Sequence, residues 1–139
     1  MKRAQRLRTD LAVCGLRLWV GLNLALGHGL PKLQDQDTFL TDERLRELPW
    51  SETLGWASML SLFGGGLLLA VGLLTRTAAG FLLATLLGAA LIALQDAPFV
   101  ERELALTYAV ALLVLLVHGP GTLSVDQTIE KRRRSRSPW

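Results

Sequence analysis

Apolar residues fall into four long runs along this chain of 139 residues, over about residues 11–31, 54–74, 78–94 and 99–118. Each run is close to the roughly 20 residues that a helix with a rise of ~1.5 Å per residue needs to cross a hydrocarbon core of about 30 Å. A helix of a soluble bundle shows a polar stripe every three or four residues, and the run "AAGFLLATLLGAALIAL" has none. The pattern predicts an all-α integral membrane protein, a four-transmembrane-helix bundle that forms one domain over residues 1–139.

Composition supports this prediction and excludes some chemistry. Half of the residues are hydrophobic and 19% are charged, and the charges avoid the apolar runs. Cys14 is the single cysteine, which excludes an intrachain disulfide, a four-cysteine zinc site and a CxxC redox pair. We expect the first run to remain as an uncleaved span, because Arg17 lies inside it and no small-x-small cleavage site precedes "GHGLPKL".

Basic residues predict the orientation of the bundle. Ten Lys and Arg residues lie before the first run, between the second and third runs or after the fourth: Lys2, Arg3, Arg6, Arg8, Arg76, Lys131, Arg132, Arg133, Arg134 and Arg136. The other two connections, counted together with the first residues of the fourth run, hold four: Lys32, Arg44, Arg46 and Arg102. Nine of the twelve acidic residues also lie in those two connections. We therefore expect a multi-pass membrane protein with both termini in the cytoplasm.

Two polar segments are expected at the membrane surfaces. In the first outer connection, "TDERLRELPW" can form a short interfacial helix capped by Thr41 and ended by Pro49, with Trp50 and Trp56 in the outer aromatic belt. The cytoplasmic tail, residues 127–139, includes the basic run "KRRRSRSPW". Directly after a span, an attraction of about 1 kcal/mol per charge to anionic lipid head groups explains such a run, so we expect no nucleic-acid partner.

Small residues at helical spacing indicate where the helices pack closely. Lipid supplies no hydrophobic force between helices, so close approach through small side chains has to hold them together. The second and third runs carry such residues at steps of three and four, and we predict that these pack against neighbouring helices: Gly65, Gly72, Gly80 and Gly88.

The first run carries two polar residues on one predicted helix face. Arg17, Gly21, Leu24 and His28 follow one another at steps of 4, 3 and 4 residues, so this face should point into the bundle. An arginine within the membrane is a functional hypothesis by default, although its long stem can also reach the inner surface. Function, a structural ion pair and plain snorkelling therefore stay open for Arg17.

Depth in the membrane separates the remaining charged candidates into two sets. The outer set includes His28, Lys32 and Glu103, and we expect Glu103 to pair with the other two. The inner set is Arg17, Arg76, His118 and Asp126. Because the two histidines lie near opposite faces of a bundle about 30 Å thick, they cannot ligate one haem iron or one zinc, and we predict no metal site.

Three motifs, in order, resemble those of the DoxX family of small four-span bacterial membrane proteins. "RLWVGLNLALGHGLPKL" is similar to the first span of that family, "GGGLLLAVGLLTRTAAG" to the second-span signature, and "ERELALTYAVALLVLLVHGPGTLSVD" to the last. The family takes its name from a subunit associated with a sulfur- and quinone-linked oxidoreductase. The resemblance implies a location in a bacterial inner membrane and a role as an accessory subunit of a membrane redox complex. A quinone is the ligand that it suggests, with no covalently bound cofactor.

Two other functions stay open from the sequence. The chain could be a non-catalytic scaffold or assembly factor that contacts other membrane subunits or forms a homo-oligomer, or it could bind a small lipophilic molecule inside the bundle. The sequence contains no recognisable motif that pairs a nucleophile with a base, no metal-ligand cluster and no phosphate-binding loop. Stand-alone catalysis is therefore the least supported hypothesis, and we predict no catalytic residues.

Overall fold

A computed structural model gives the arrangement of the four apolar runs. It describes residues 2–42 and 46–136, without the side chains at positions 2, 3, 101, 134 and 136. The predicted interfacial helix falls partly on residues 43–45, and the end of the predicted tail on 137–139, both outside the described residues. Helices account for 83% of the structure, and no strand occurs in the described ranges, which confirms the all-α class.

The first apolar run belongs to a long helix, α1. It is α-helical over Lys2–Leu22, π-helical over Asn23–Gly29 and α-helical again over Leu30–Gln34. Pro31 follows the π-helical stretch directly and lies in the first turn of the last α-helical stretch, where a missing N–H costs least. A short helix, α2, follows over Gln36–Leu40.

The second and third runs form a helical hairpin with a turn earlier than the sequence suggested. Helix α3 consists of Ser51–Leu60, a π-helical stretch Ser61–Gly65 and Gly66–Val71, and helix α4 of Thr75–Gly88 and a π-helical stretch Ala89–Ala93. Residues 75–77 separate the second and third apolar runs, but they are the first turn of α4 and not the turn of the hairpin. The backbone reverses at Gly72 and Leu74, which have φ of 78° and 50° in the left-handed region. Glycine adopts this conformation at little cost.

Two further helices complete the described chain. Helix α5 covers Phe99–His118 and packs along α4, while α1 packs along α3. Helix α6 covers Val125–Arg136. The core between the helices is aliphatic, and its fully buried side chains include Leu24, Leu69, Leu82, Leu112 and Leu115.

Three of these helices are long and apolar enough to cross a membrane. They are the segments Ala4–Gln34, Ser51–Val71 and Thr75–Ala93. Many of their large apolar side chains point away from the core, such as Trp19 at 68% exposure and Phe81 at 66%. An exposed apolar surface of this kind suits a helix whose outer side faces lipid rather than water.

Glycines bring α1 and α3 into backbone contact at two levels. A Cβ added to Gly21 would lie 2.6 Å from both the Gly66 carbonyl oxygen and the Ala70 nitrogen, and one added to Gly66 would lie 2.7 Å from the Gly21 carbonyl oxygen. Farther along α1, a Cβ on Gly29 would lie 2.5 Å from the Phe63 nitrogen. These contacts leave no room for a side chain, as in other close crossings of membrane helices.

The predicted packing glycines fall into two groups. Gly65 lies beside Leu82, where an added Cβ would be 3.3 Å from Cγ, and Gly72 lies against the Arg17 guanidinium. Gly80 and Gly88 correct the prediction, because a Cβ added at either position would meet no described atom within 4 Å. Helical spacing identified these two as small residues on one stripe, but neither is in close contact with a described atom of a neighbouring helix.

Candidate functional site

A cavity of about 800 Å³ lies between the helices, in the half of the bundle that contains the end of α1. This volume is within the range of roughly 300–1,000 Å³ that is usual for sites that bind small molecules. Its walls are mainly aliphatic, with these apolar residues among them: Leu24, Leu54, Ala57, Leu62, Ala84, Leu86, Gly88, Ala89, Ile92, Leu104 and Ala105. The site therefore suits a lipophilic ligand.

Each of the three π-helical stretches contributes to the cavity wall. Leu24 and His28 come from the stretch in α1, Leu62 from that in α3, and Ala89 and Ile92 from that in α4. A π-helical turn inserts an extra residue and interrupts the regular packing of a helix, and such turns are frequent at functional sites. Their position around one cavity indicates that the widened helices help to make the space.

Polar side chains gather at one part of this cavity. His28 on α1 and Tyr108 on α5 meet edge to face, with their ring centroids 5.9 Å apart. The Lys32 ammonium lies 4.3 Å from the centroid of the Phe39 ring, a cation–π contact between α1 and α2. Asp42 also lines the cavity, and its charge acts on Lys32. The cavity therefore combines an apolar wall with an imidazole, a phenol and an ammonium group, all of which can donate hydrogen bonds.

Hydroxyl groups on α3 and α4 are already used within the protein. Ser58, which lines the cavity, donates a hydrogen bond of 2.8 Å to the Gly55 carbonyl oxygen. Thr85, on the facing wall, donates to the Phe81 carbonyl oxygen at 2.9 Å, and its hydroxyl lies 3.0 Å from that of Ser61. The groups that remain to orient a ligand are those at the polar part of the cavity.

Glu103 does not take the place that we predicted. Its side chain is exposed, and no ion pair in the described part of the chain joins it to His28 or Lys32. The residue that α5 presents to His28 is Tyr108, five positions later. The prediction was wrong because depth in the membrane was used without the rotation of α5, which turns Glu103 outward.

The Arg17 guanidinium is buried at the opposite half of the bundle. The residue is 2% exposed, and its two terminal nitrogens donate to the carbonyl oxygens of Pro120 and Leu123, at 2.5 and 2.8 Å. These carbonyls belong to the segment that joins α5 to α6. Arg17 therefore does not snorkel. It binds α1 to the segment that follows α5, through charge-assisted hydrogen bonds.

Asp126 makes a second link at the same end of the bundle. Its carboxylate accepts hydrogen bonds from the Leu74 and Thr75 backbone N–H groups, at 2.8 and 2.9 Å, and from the Thr75 hydroxyl at 2.9 Å. Burial alone raises the pKa of Asp126, but these hydrogen bonds and the Arg17 charge outweigh it and lower the pKa below its ordinary value. Asp126 thus supplies the N-terminal cap of α4 from a distant part of the chain.

The other two inner candidates do not join this network of hydrogen bonds. Arg76 is exposed and lies along Gly119, where an added Cβ would be 3.2 Å from one guanidinium nitrogen. His118 is also exposed and lines a groove with Gln5 and Asp10, at the far end of the bundle from His28. No cluster of three or more His, Cys, Asp or Glu side chains arranged to hold a metal ion occurs among the described residues.

Sequence reasoning missed several residues of the cavity, of the hydrogen-bond network around Arg17 and Asp126, and of the contact between α1 and α3. Tyr108 carried no signal beyond its being the one tyrosine of the chain. The position of Thr75 at a helix start could have been recognised, because it directly follows the Gly-Leu-Leu turn, but nothing in the sequence pairs its hydroxyl with Asp126. The Gly66 contact with Gly21 could not be assigned, because three consecutive glycines leave the contacting one undetermined.

One family of known proteins matches most of this chain. The family model described as DoxX matches residues 12–95, which is more than half of the chain and includes most of α1 and all of α3 and α4. The third motif, at residues 101–126, lies beyond that match. No curated protein and no solved structure matches the chain. The glycine-rich second motif and the His-Gly-Leu-Pro-Lys segment both lie within the matched range, and the chain belongs to the DoxX family.

Proposed function

We propose that this small membrane protein is an accessory subunit of a membrane redox complex and holds a quinone in the cavity between its helices. The observation that carries the proposal is the cavity itself, with an aliphatic wall and hydrogen-bond donors in one part of it. A quinone has the matching chemistry, because an apolar tail is joined to a ring with two carbonyl acceptors. Membership of a family named after a quinone-linked complex supports the same ligand.

The proposal includes a topology of four spans with both termini on the cytoplasmic side of a bacterial inner membrane. Helix α5 is 20 residues long and packs along α4, which suits a fourth span beside the three candidate segments. The start of α1 and the end of α5 share one groove, as expected if an even number of spans returns the chain to its first side. The excess of basic residues at this end supports a cytoplasmic location.

The polar part of the cavity favours a neutral acceptor over an anion. Lys32, His28 and Tyr108 can each donate to a ligand oxygen. The Asp42 carboxylate acts on the Lys32 charge, so a second carboxylate placed there would meet repulsion as well as attraction. A quinone carbonyl needs only the donors, whereas a fatty acid would bring a charge that Asp42 opposes.

Thermal unfolding in detergent with three matched ligands tests the proposal. The ligands are decylubiquinone, dodecylbenzene without an oxygen acceptor, and laurate with an anionic head. A ligand that binds the folded state at 100 times its Kd stabilises a protein by roughly 2.7 kcal/mol, which raises its Tm. We expect decylubiquinone to raise the Tm most, and an equal effect of all three ligands would contradict recognition of a quinone.

A variant that fills the cavity locates the binding. Gly88 lines the cavity and Gly80 does not, yet a Cβ at either meets no described atom within 4 Å. Gly88→Phe should therefore place a ring in the cavity, and Gly80→Phe on the same helix should leave the cavity open. We expect decylubiquinone to bind Gly88→Phe about tenfold more weakly or worse, a loss of about 1.4 kcal/mol, and to bind Gly80→Phe as it binds the wild type. Equal binding by both variants would refute the assignment to this cavity.

A further inference from the structure

The basic helix α6 begins at a fixed position against the bundle. The Asp126 backbone N–H donates to the Gly72 carbonyl oxygen at 3.0 Å, while its carboxylate accepts from Leu74 and Thr75. Ser124 caps the helix, since its hydroxyl accepts a hydrogen bond of 3.2 Å from the Gln127 N–H. The first turn of α6 is thus tied to the turn between α3 and α4, so the helix starts at the end of the apolar bundle.

Beyond that first turn, α6 presents basic side chains next to apolar ones. Lys131, Arg132 and Arg133 are exposed. Val125 and Ile129, one turn apart, are 37% and 43% exposed, and Arg132 and Arg133 follow at the next helical steps on the same side. Among the described residues, Val125 and Ile129 therefore remain partly exposed next to these charges.

The start of α1 also places exposed basic side chains next to exposed apolar ones, at the same end of the bundle. Arg6 and Arg8 are exposed, and Leu7 and Leu11 are 57% and 54% exposed. The groove that contains Arg6 also contains Thr122, three positions before α6. We name this combined surface the basic end, defined by Arg6, Arg8, Lys131, Arg132 and Arg133.

We infer that the basic end binds the head groups of anionic phospholipids and lies at the surface of the membrane that the bundle crosses. Positive charge complements a phosphate-rich surface, and exposed leucine and isoleucine side chains next to the charges can enter the boundary between head groups and acyl chains. A nucleic acid would match the charges but not the apolar side chains. The inference concerns a surface at the other end of the bundle from the cavity, so it stands independently of the proposed ligand.

Limited trypsin digestion of the full chain in lipid nanodiscs tests this inference. One preparation contains phosphatidylcholine alone, and a second contains about 30% phosphatidylglycerol, on the order of the anionic content at which surface potentials matter. Cleavage after Lys131, Arg132 and Arg133 reports on the basic end. Cleavage after Arg46, which is exposed and lies beyond the opposite end of α1, is the internal control for any effect of the lipid on trypsin.

We expect phosphatidylglycerol to slow cleavage in α6 by about tenfold relative to cleavage after Arg46, and 0.5 M salt to remove most of this protection, because salt screens exposed charges. An unchanged ratio in the two lipids would overturn the inference, as would protection that persists at high salt. Protection in phosphatidylcholine by an added oligonucleotide, without protection by phosphatidylglycerol, would overturn it in favour of a nucleic-acid surface.

Discussion

The close crossing of α1 and α3 allows the loss of stability caused by Gly21→Ala to be predicted. In Gly21→Ala the new Cβ would lie 2.6 Å from two backbone atoms, about 0.8 Å short of the 3.4 Å at which ordinary van der Waals contact begins. Both contacting atoms belong to helix backbone and cannot rotate away, so the helices must separate. Overpacking of this kind costs about 1–3 kcal/mol. Helix propensity returns up to about 1 kcal/mol of that loss, because alanine favours a helix more than glycine does.

Gly15→Ala on the same helix is the matched control. A Cβ at Gly15 meets no described atom within 4 Å, so this variant gains the helix propensity without the overpacking. The difference between the two variants should therefore be about 1–3 kcal/mol, roughly a 5- to 150-fold change in the unfolding equilibrium. Unfolding in mixed micelles of SDS and a mild detergent, followed by circular dichroism, measures it. A Gly21→Ala protein as stable as Gly15→Ala would show that α1 and α3 do not touch at this point.

Three further predictions concern the Arg17 end of the bundle and use the same unfolding measurement. Arg17→Lys should lower stability by about 1–3 kcal/mol, since one ammonium group cannot reproduce the planar fork that binds two carbonyls; an unchanged midpoint would argue against the network. Gly72→Ala should cost about 1–3 kcal/mol or prevent folding, because its φ of 78° is left-handed and its Cβ would lie 2.7 Å from the Arg17 guanidinium carbon. Asp126 has a lowered pKa in the folded state, so its contribution to stability is present above its unfolded pKa of about 3.9 and is lost as the pH falls through the folded value. Wild type should therefore exceed Asp126→Asn in stability at pH 7 and lose that advantage under strongly acidic conditions, and a difference that does not depend on pH would contradict this role of the carboxylate.

Periodicity in the sequence predicted which face of α1 enters the bundle. Arg17, Gly21 and Leu24 are buried and His28 is partly buried, as the helical steps required. The same reasoning could not find the partners of Arg17, because they are backbone carbonyl groups more than 100 positions away. Every residue carries a carbonyl, so nothing in the sequence distinguishes those of Pro120 and Leu123.

Residue type and depth were also insufficient to assign contacts between helices. Gly80 and Gly88 have the spacing of a packing stripe, and Glu103 has the depth and charge to pair with His28. To make either prediction correctly, one must know how a helix is rotated about its axis, and this rotation depends on how the whole bundle packs. The cavity was also beyond prediction, because three π-helical stretches with different sequences line it and no short motif predicts that they meet.

The quinone content of the purified protein decides most directly whether this cavity is a quinone site. The full chain would be extracted from its native membrane in a mild detergent, and its bound small molecules would be identified and counted by mass spectrometry. We predict close to one quinone per chain in the wild type and in Gly80→Phe, and a loss of most of it in Gly88→Phe. A wild-type protein without quinone, or the same quinone content in Gly88→Phe, would show that the cavity does not hold a quinone.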